Sequence, residues 1–468
     1  MSAQDEPHSV PVCEPYWPSG GSASLHERLK VLLLSLNWWR EKDPRTPLGT
    51  AYLYSWLSRT DLWPMVKVGF LDATVADPVT RVVQRIKAAD PSILGIGVYV
   101  WNNPVVRQVL SSLRVEGYRG KIVLGGPEIS YATEDLPAEF PDADYFVKGE
   151  GETAFEEVLR ANLGGRKAEG PGVFTPRYSP IAGQAHLPKG VEPVQPQSLP
   201  ELLPLIVKDG FGRIELQRGC LFACSFCAFP FKDRVFTEFG MGTLREDLRQ
   251  LRLAGVRQLA VLDPILFLHK ERAMTMLRAL AEELQGTRFE IQSRPEHLDA
   301  ALIDQLARMD VLLECGIQSL DPIVERAIRR AGDPGTIDAS LRLLQERGVD
   351  FEAHLIFGLP FQTVGSLFQD VDYLLGFHPR RLRLFPLLDH RGTTLSRETQ
   401  TVYHGRMTFS NSFPRQVEET EWMPRNAIAS LKRLHHELEV GTDAVTALER
   451  ARTVLPGCQG NGEPILWA

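Results

Sequence analysis

The sequence predicts an α/β protein in two successive parts: a doubly wound parallel sheet, then a partial barrel of six β/α units followed by a short helical cap. Three observations carry this expectation. Apolar runs of strand length, beginning with KVLLLSL at 30–36, alternate with stretches at helical apolar spacing. A segment rich in proline and glycine interrupts the alternation, which then resumes. No apolar run in the 468 residues approaches the roughly 18 to 20 needed to cross a bilayer.

In chain order, residues 1–27 are polar and proline-rich, without the apolar core of a secretory signal, and are expected to form an irregular arm. Residues 28–161 form the first domain. Its strands are read at KVLLLSL, VKVGFLDA, ILGIGVYV, KIVLGGP and DYFVKGE, each a continuous apolar run suited to burial on both faces. Helical stretches follow the first three, two of them opened by Asp-Pro or Asn-Pro. Ligands of such sheets bind at the carboxyl ends of the strands. The candidates there are Trp38, Asp72, Tyr99, Trp101, Asn102, Gly125, Gly126, Glu128, Gly149 and Gly151, the glycines competing with a reading as ordinary turns.

Residues 162–210 read as a linker, with at most a short hairpin. From 211 to 390, RIELQRG, QLAVLDPILF, FEIQSRPE, VLLECGIQS, DFEAHLIFGLP and RLRLFPLLD read as strands separated by helices. Six units fall two short of a closed barrel, and the chemistry is expected at the carboxyl ends of the strands. Residues 391–468 form the cap, with PRNAIASLKRLHHELEV its one strong helix.

The net charge of −7 and the lack of a long basic block argue against a nucleic-acid partner; a small molecule is the expected substrate. Half of the six cysteines fall within GCLFACSFCAF, as Cys220, Cys224 and Cys227, immediately after the first barrel strand. Three is an odd number for disulfides, and the others (Cys13, Cys315, Cys458) are scattered, so a reducing, cytoplasmic setting is expected. Structural zinc sites use four protein ligands, and the nearest histidines, His186 and His269, are distant in sequence. An iron–sulfur cluster on three thiolates with one iron left open fits best, with another metal as the alternative.

This C-x3-C-x2-C motif, with Phe226 before the last cysteine, resembles the radical S-adenosylmethionine (SAM) superfamily. The upstream segments PLG, GVYVWN, GGPE and GEGE resemble the Rossmann-like B12-binding domain of its cobalamin-dependent subgroup. The resemblance implies that the triad holds a [4Fe–4S] cluster whose open iron takes S-adenosylmethionine. Reductive cleavage of that ligand yields a radical that abstracts a substrate hydrogen, while the protein supplies positioning and water exclusion. Asp263 stands where many members have a Gly-Gly-Glu turn and is a candidate for the ligand's amine. Ser293 and Arg294, in QSR, are placed for its carboxylate. Glu314 and Gln318, on one face of a strand by alternation, and the adjacent Ser319 are candidates for its ribose. Gly358, in HLIFGLP, matches the adenine-side segment. His354 is a candidate acid or base, with a core histidine as the competing reading, and Cys458 a candidate hydrogen donor.

The Asp-x-His-x-x-Gly signature of other B12 proteins is missing, and no histidine lies between 27 and 185, so cobalamin would bind without a histidine ligand, as the resemblance implies for this subgroup. The expected activity is methyl transfer to an unactivated carbon, or phosphorus, of a small secondary-metabolite intermediate. A non-methylating radical reaction (rearrangement, cyclisation, epimerisation or sulfur insertion) and a sensor without turnover are the alternatives. A flavodoxin- or ferredoxin-like reductant is the expected partner.

Overall fold

The computed structural model describes residues 14–18, 28–38, 46–132, 135–176, 183–229, 236–330, 332–441 and 443–455. These fall into two compact units, one drawn from 1–212 with 246–255, the other from 213–245 with 256–468.

The first unit is a six-stranded sheet in the order β2-β1-β3-β4-β5-β6. Strands β1 (Leu29–Asn37), β2 (Val66–Thr74), β3 (Ile93–Gly97), β4 (Lys121–Gly125) and β5 (Tyr145–Val147) are parallel neighbours. Alternate residues of β1 serve two cores, Leu32, Leu34 and Leu36 in one and Val31 and Leu33 in the other. A strand buried on both faces has no polar alternation to show, which is why KVLLLSL reads as an unbroken run. Helix Val79–Ala89 fills the first core with Val82, Val83 and Ile86, while helix Gly151–Leu163 fills the second with Phe155, Val158 and Leu159.

The expected linker is, where described, packed structure. Strand β6 (Val173–Phe174) pairs antiparallel with β5, and Ala185 bridges to Gly149. Val173, Ala185, Leu202 and Ile206 are buried in the second core. A few isolated apolar residues amid prolines suffice to seal a sheet face, and such spacing carries no periodic signal.

The second sheet has seven strands in the order β15-β14-β13-β12-β11-β8-β7. A tight hairpin, β7 (Val207–Lys208) and β8 (Phe211–Ile214), starts it, and a two-stranded ribbon of β9 (Gln217–Arg218) and β10 (Thr237–Glu238) stands apart. Strands β11 (Gln258–Val261), β12 (Arg288–Ser293), β13 (Val311–Gln318), β14 (Asp350–Phe357) and β15 (Arg381–Pro386) run parallel as expected. Leu313, Cys315 and Ile317 are buried, whereas the alternate Glu314, Gly316 and Gln318 are half-exposed, so this strand has one apolar and one polar face.

The cap is not purely helical. Between helices Thr394–Thr399 and Arg425–Glu439 lies an antiparallel pair, β16 (Met407–Phe409) and β17 (Val417–Thr420), too short for its alternation to stand out. Among the described residues no helix is long and apolar enough to cross a membrane.

Candidate functional site

Cys220, Cys224 and Cys227 are free thiols, each half-buried, on the loop that leaves β9. Backbone bonds hold this loop. Within it the Cys227 N–H donates to the Cys224 carbonyl (3.2 Å). From outside, the Ile328 carbonyl accepts from Ser225 N–H (2.8 Å), while the Ser225 carbonyl accepts from Leu395 N–H (2.7 Å). Burial pushes all three thiols up, Cys227 to about 12; Cys220 and Cys227 both feel Cys224, while Arg330 and Arg294 pull Cys224 back down. Unaided, they are poor thiolates, and bound metal is what would hold them deprotonated. Among the described residues no three Cys, His, Asp or Glu side chains converge on a single ion. Three free thiols within eight residues of one loop are the donor type and number that an iron–sulfur cluster with one open iron takes, so the donor set fits a cluster. Phe226 is half-buried between the last two cysteine positions.

A charged group that the sequence reading missed packs against this loop. Glu296 Oε1 accepts from Arg294 (2.6 Å from Nη2) and from Arg330 (3.1 Å from Nη1). The Arg294 guanidinium lies 3.9 Å from the centre of the Phe222 ring, on which His297 stacks at 5.3 Å. Arg294, read as a ligand clamp, is thus engaged by a carboxylate through Nη2 and Nε. Local sequence carries no sign of Arg330, because its pairing with Glu296 spans two β/α units.

The other expected SAM contacts divide. Ser293 is buried with its hydroxyl unpartnered among the described residues, as is Asp263 Oδ2, and a buried polar atom without a partner invites a ligand. Asp263 Oδ1 is committed, accepting from Leu216 N–H (2.7 Å) and Gln217 N–H (3.2 Å), and burial pushes its carboxyl up to about 7. Glu314 and Gln318 do share a face, but a bulge between Gly316 and Gln318 leaves Gln318 at φ 72, rare for a residue with a side chain. Ser319 is fully buried, donates to Asp370 (2.9 Å) and anchors a helix. At Gly358 a Cβ would meet Val417 of the cap at 2.7 Å, so protein makes a close approach there. His354 Nε2 lies 3.2 Å from Glu352, whose carboxyl is held down to about 2 despite burial by His354 and Arg383. Cys458 lies outside the described residues.

In the first unit Tyr99 and Trp101 stack at 4.5 Å and 10°, with Trp101 36% and Trp38 48% exposed at the carboxyl ends of their strands. An open aromatic shelf there suits the flat face of a corrin, and no His belongs to the described part of the domain as far as 185. Asp72 accepts from Asn37 (2.5 Å) beside this shelf. Four of the expected contact residues make internal ties. Asn102, fully buried, donates to Leu36 and Gly97 carbonyls (3.0 Å each) and accepts from Tyr99 N–H (2.8 Å). Gly126, at φ 91, would drive a Cβ to 2.8 Å from the Val98 carbonyl oxygen, and a Cβ on Gly149 would strike Ala185. Glu128 is buried against Asn103 (3.4 Å). Gly125 and Gly151 meet only Val147 and Leu53.

The Radical SAM superfamily model matches residues 214–374, the region that holds the three cysteines. The B12 binding domain model matches 45–159, so the chain carries a radical SAM domain and a B12-binding domain. It is 24% identical over 330 residues to an uncharacterized methyltransferase of Pyrococcus horikoshii, covering 68% of this chain and 70% of that one. With a 2-(S-pantetheinyl)-carbapenam-3-carboxylate methyltransferase of Streptantibioticus cattleyicolor the identity is 29%, over 55% of this chain and 39% of the relative. With the cobalamin-dependent radical SAM methyltransferase TokK of Streptomyces tokunonensis it is 26%, over 64% and 46%. The chain thus spans less than half the length of these last two. The same fold occurs in the radical SAM methyltransferase TsrM of Kitasatospora setae, solved with cobalamin and a [4Fe–4S] cluster: TM-score 0.67, 18% identity, 83% of this chain and 78% of that one.

Proposed function

We propose that this protein is a cobalamin-dependent radical SAM methyltransferase acting on an unactivated carbon, or phosphorus, of a small molecule. The observation that carries the reading is the pairing, in one chain, of three free thiols on the loop after β9 with a B12-binding sheet. When bound, the cluster and S-adenosylmethionine supply radical generation and cobalamin supplies the methyl carrier. The chain's own share is positional. Cys220, Cys224 and Cys227 hold three irons. Ser293, Asp263 Oδ2, Glu314 and Gln318 offer polar atoms to S-adenosylmethionine, and Trp38, Tyr99 and Trp101 offer a flat surface to the corrin. Free thiols are supported by a reducing, cytoplasmic setting. A flavodoxin- or ferredoxin-like donor suits the low potentials of such clusters.

Anaerobic reconstitution tests the reading. The wild type should hold a cluster with broad visible absorbance, cleave S-adenosylmethionine to 5′-deoxyadenosine under reductant, and with a competent substrate also form S-adenosylhomocysteine and a methylated product. Cys224→Ala should lose iron and cleavage together. Cleavage retained by the triple alanine variant would sink the cluster assignment, and 5′-deoxyadenosine without S-adenosylhomocysteine would favour a non-methylating radical reaction.

A further inference from the structure

Glu296 sits just past the end of β12, and a single oxygen of it, Oε1, receives both Arg294 and Arg330. Its other oxygen, Oε2, is buried without a partner among the described residues. Side-chain exposure is 9% for Glu296, 11% for Arg294 and 3% for Arg330, so water does little to screen the three charges. Each arginine is fastened to the cysteine loop by a separate route. Arg294 lies over Phe222, which stands between Cys220 and Cys224 in the chain. Arg330 donates to the Gly316 carbonyl that the β13 bulge sets free, and it follows Ile328, whose carbonyl holds Ser225 N–H between Cys224 and Cys227. Glu325, also buried, feels Arg330, Glu296 and Arg294, and burial pushes its carboxyl up to about 7, so two cations, the Glu296 anion and one weakened acid stand together against the loop.

We propose that Glu296 is a positioning residue: by holding Arg294 and Arg330 as a pair against the cysteine loop, it fixes the net charge beside the iron–sulfur cluster and so sets its reduction potential. Reduction adds an electron to the cluster. Neighbouring positive charge stabilises the reduced form and raises the potential, whereas negative charge lowers it. Glu296 has two opposed effects, adding its own negative charge while keeping two positive charges in place. The inference rests on the triad holding a cluster.

The test is a potentiometric titration of the reconstituted full chain with titanium(III) citrate, followed by electron paramagnetic resonance of the reduced cluster. Glu296→Gln keeps the shape and one acceptor but removes the charge, so the midpoint should shift to more positive values. Arg330→Gln removes a positive charge and should shift it the opposite way. Both should keep wild-type iron and sulfide per chain, and Glu296→Asp should return the midpoint towards wild type. Shifts in the same direction, no shift in either, or loss of iron from both would overturn the proposal, the last marking the three side chains as a scaffold for the loop. Failure of the wild type itself to hold iron would overturn the cluster reading instead.

Discussion

Gln318 shows what a residue's spacing reveals and what it conceals. Alternation along VLLECGIQS put Gln318 and Glu314 on one face, and they are both half-exposed there, yet nothing in the letters foretells the bulge or the left-handed backbone at φ 72. Such a conformation costs a residue with a side chain about 1 to 2 kcal/mol. Gln318→Gly relieves that strain and adds chain entropy to the unfolded state, so thermal stability should stay within about 1 kcal/mol of wild type. If the amide binds S-adenosylmethionine, its loss should weaken affinity about tenfold, the equivalent of roughly 1.4 kcal/mol, in equilibrium dialysis. Unchanged affinity would reduce Gln318 to a backbone device. The three cysteines stand out in the sequence because they lie within eight positions. Glu296 and Arg330 do not, because their meeting depends on how β12 and β13 are placed side by side.

Strands that sit in apolar runs are legible in the sequence, and those without such a run are not. The five parallel strands of the first sheet and the parallel barrel strands announce themselves in this way, whereas β6 and the β16–β17 pair are defined only by what they pair with. Helix Val364–Leu375 illustrates a joint that periodicity cannot reveal. Its Asp370 reaches back to the end of β13, accepting from Ser319 Oγ (2.9 Å) and Leu320 N–H (3.0 Å). Burial pushes this carboxyl up to about 7, aided by Asp321 and opposed by those two bonds. A raised value means that the folded state binds the proton more tightly than the unfolded one. Stability from this group is therefore fullest below its ordinary range near pH 4 and is lost as pH rises towards 7. Asp370→Asn should flatten that slope, gaining on wild type more at pH 8 than at pH 5 in thermal unfolding. Parallel pH profiles for the two proteins would refute the assignment.

At the scale of the whole molecule, the order of a B12-binding sheet followed by a radical SAM barrel was legible, but the tight protein packing around glycines of the first unit was not. Gly126 and Gly149 answer to Val98 and Ala185, leaving the exposed aromatic pair as the feature most available to a corrin. Trp101→Ala should consequently lower the cobalamin retained after gel filtration and abolish methyl transfer, while S-adenosylmethionine cleavage to 5′-deoxyadenosine persists in the other unit. Loss of both activities together would argue against separate duties. The two backbone bonds on Ser225 bear on how the protein is made. Their partners, Ile328 and Leu395, leave the ribosome long after the cysteines do. The thiols are thus synthesised well before the loop can take its final shape, which needs the cap helix Thr394–Thr399 as well as the barrel. A chain ended before Leu395 should accordingly take up less iron than the full chain on anaerobic reconstitution, and equal uptake by the two would show that the cap bond is dispensable for loading.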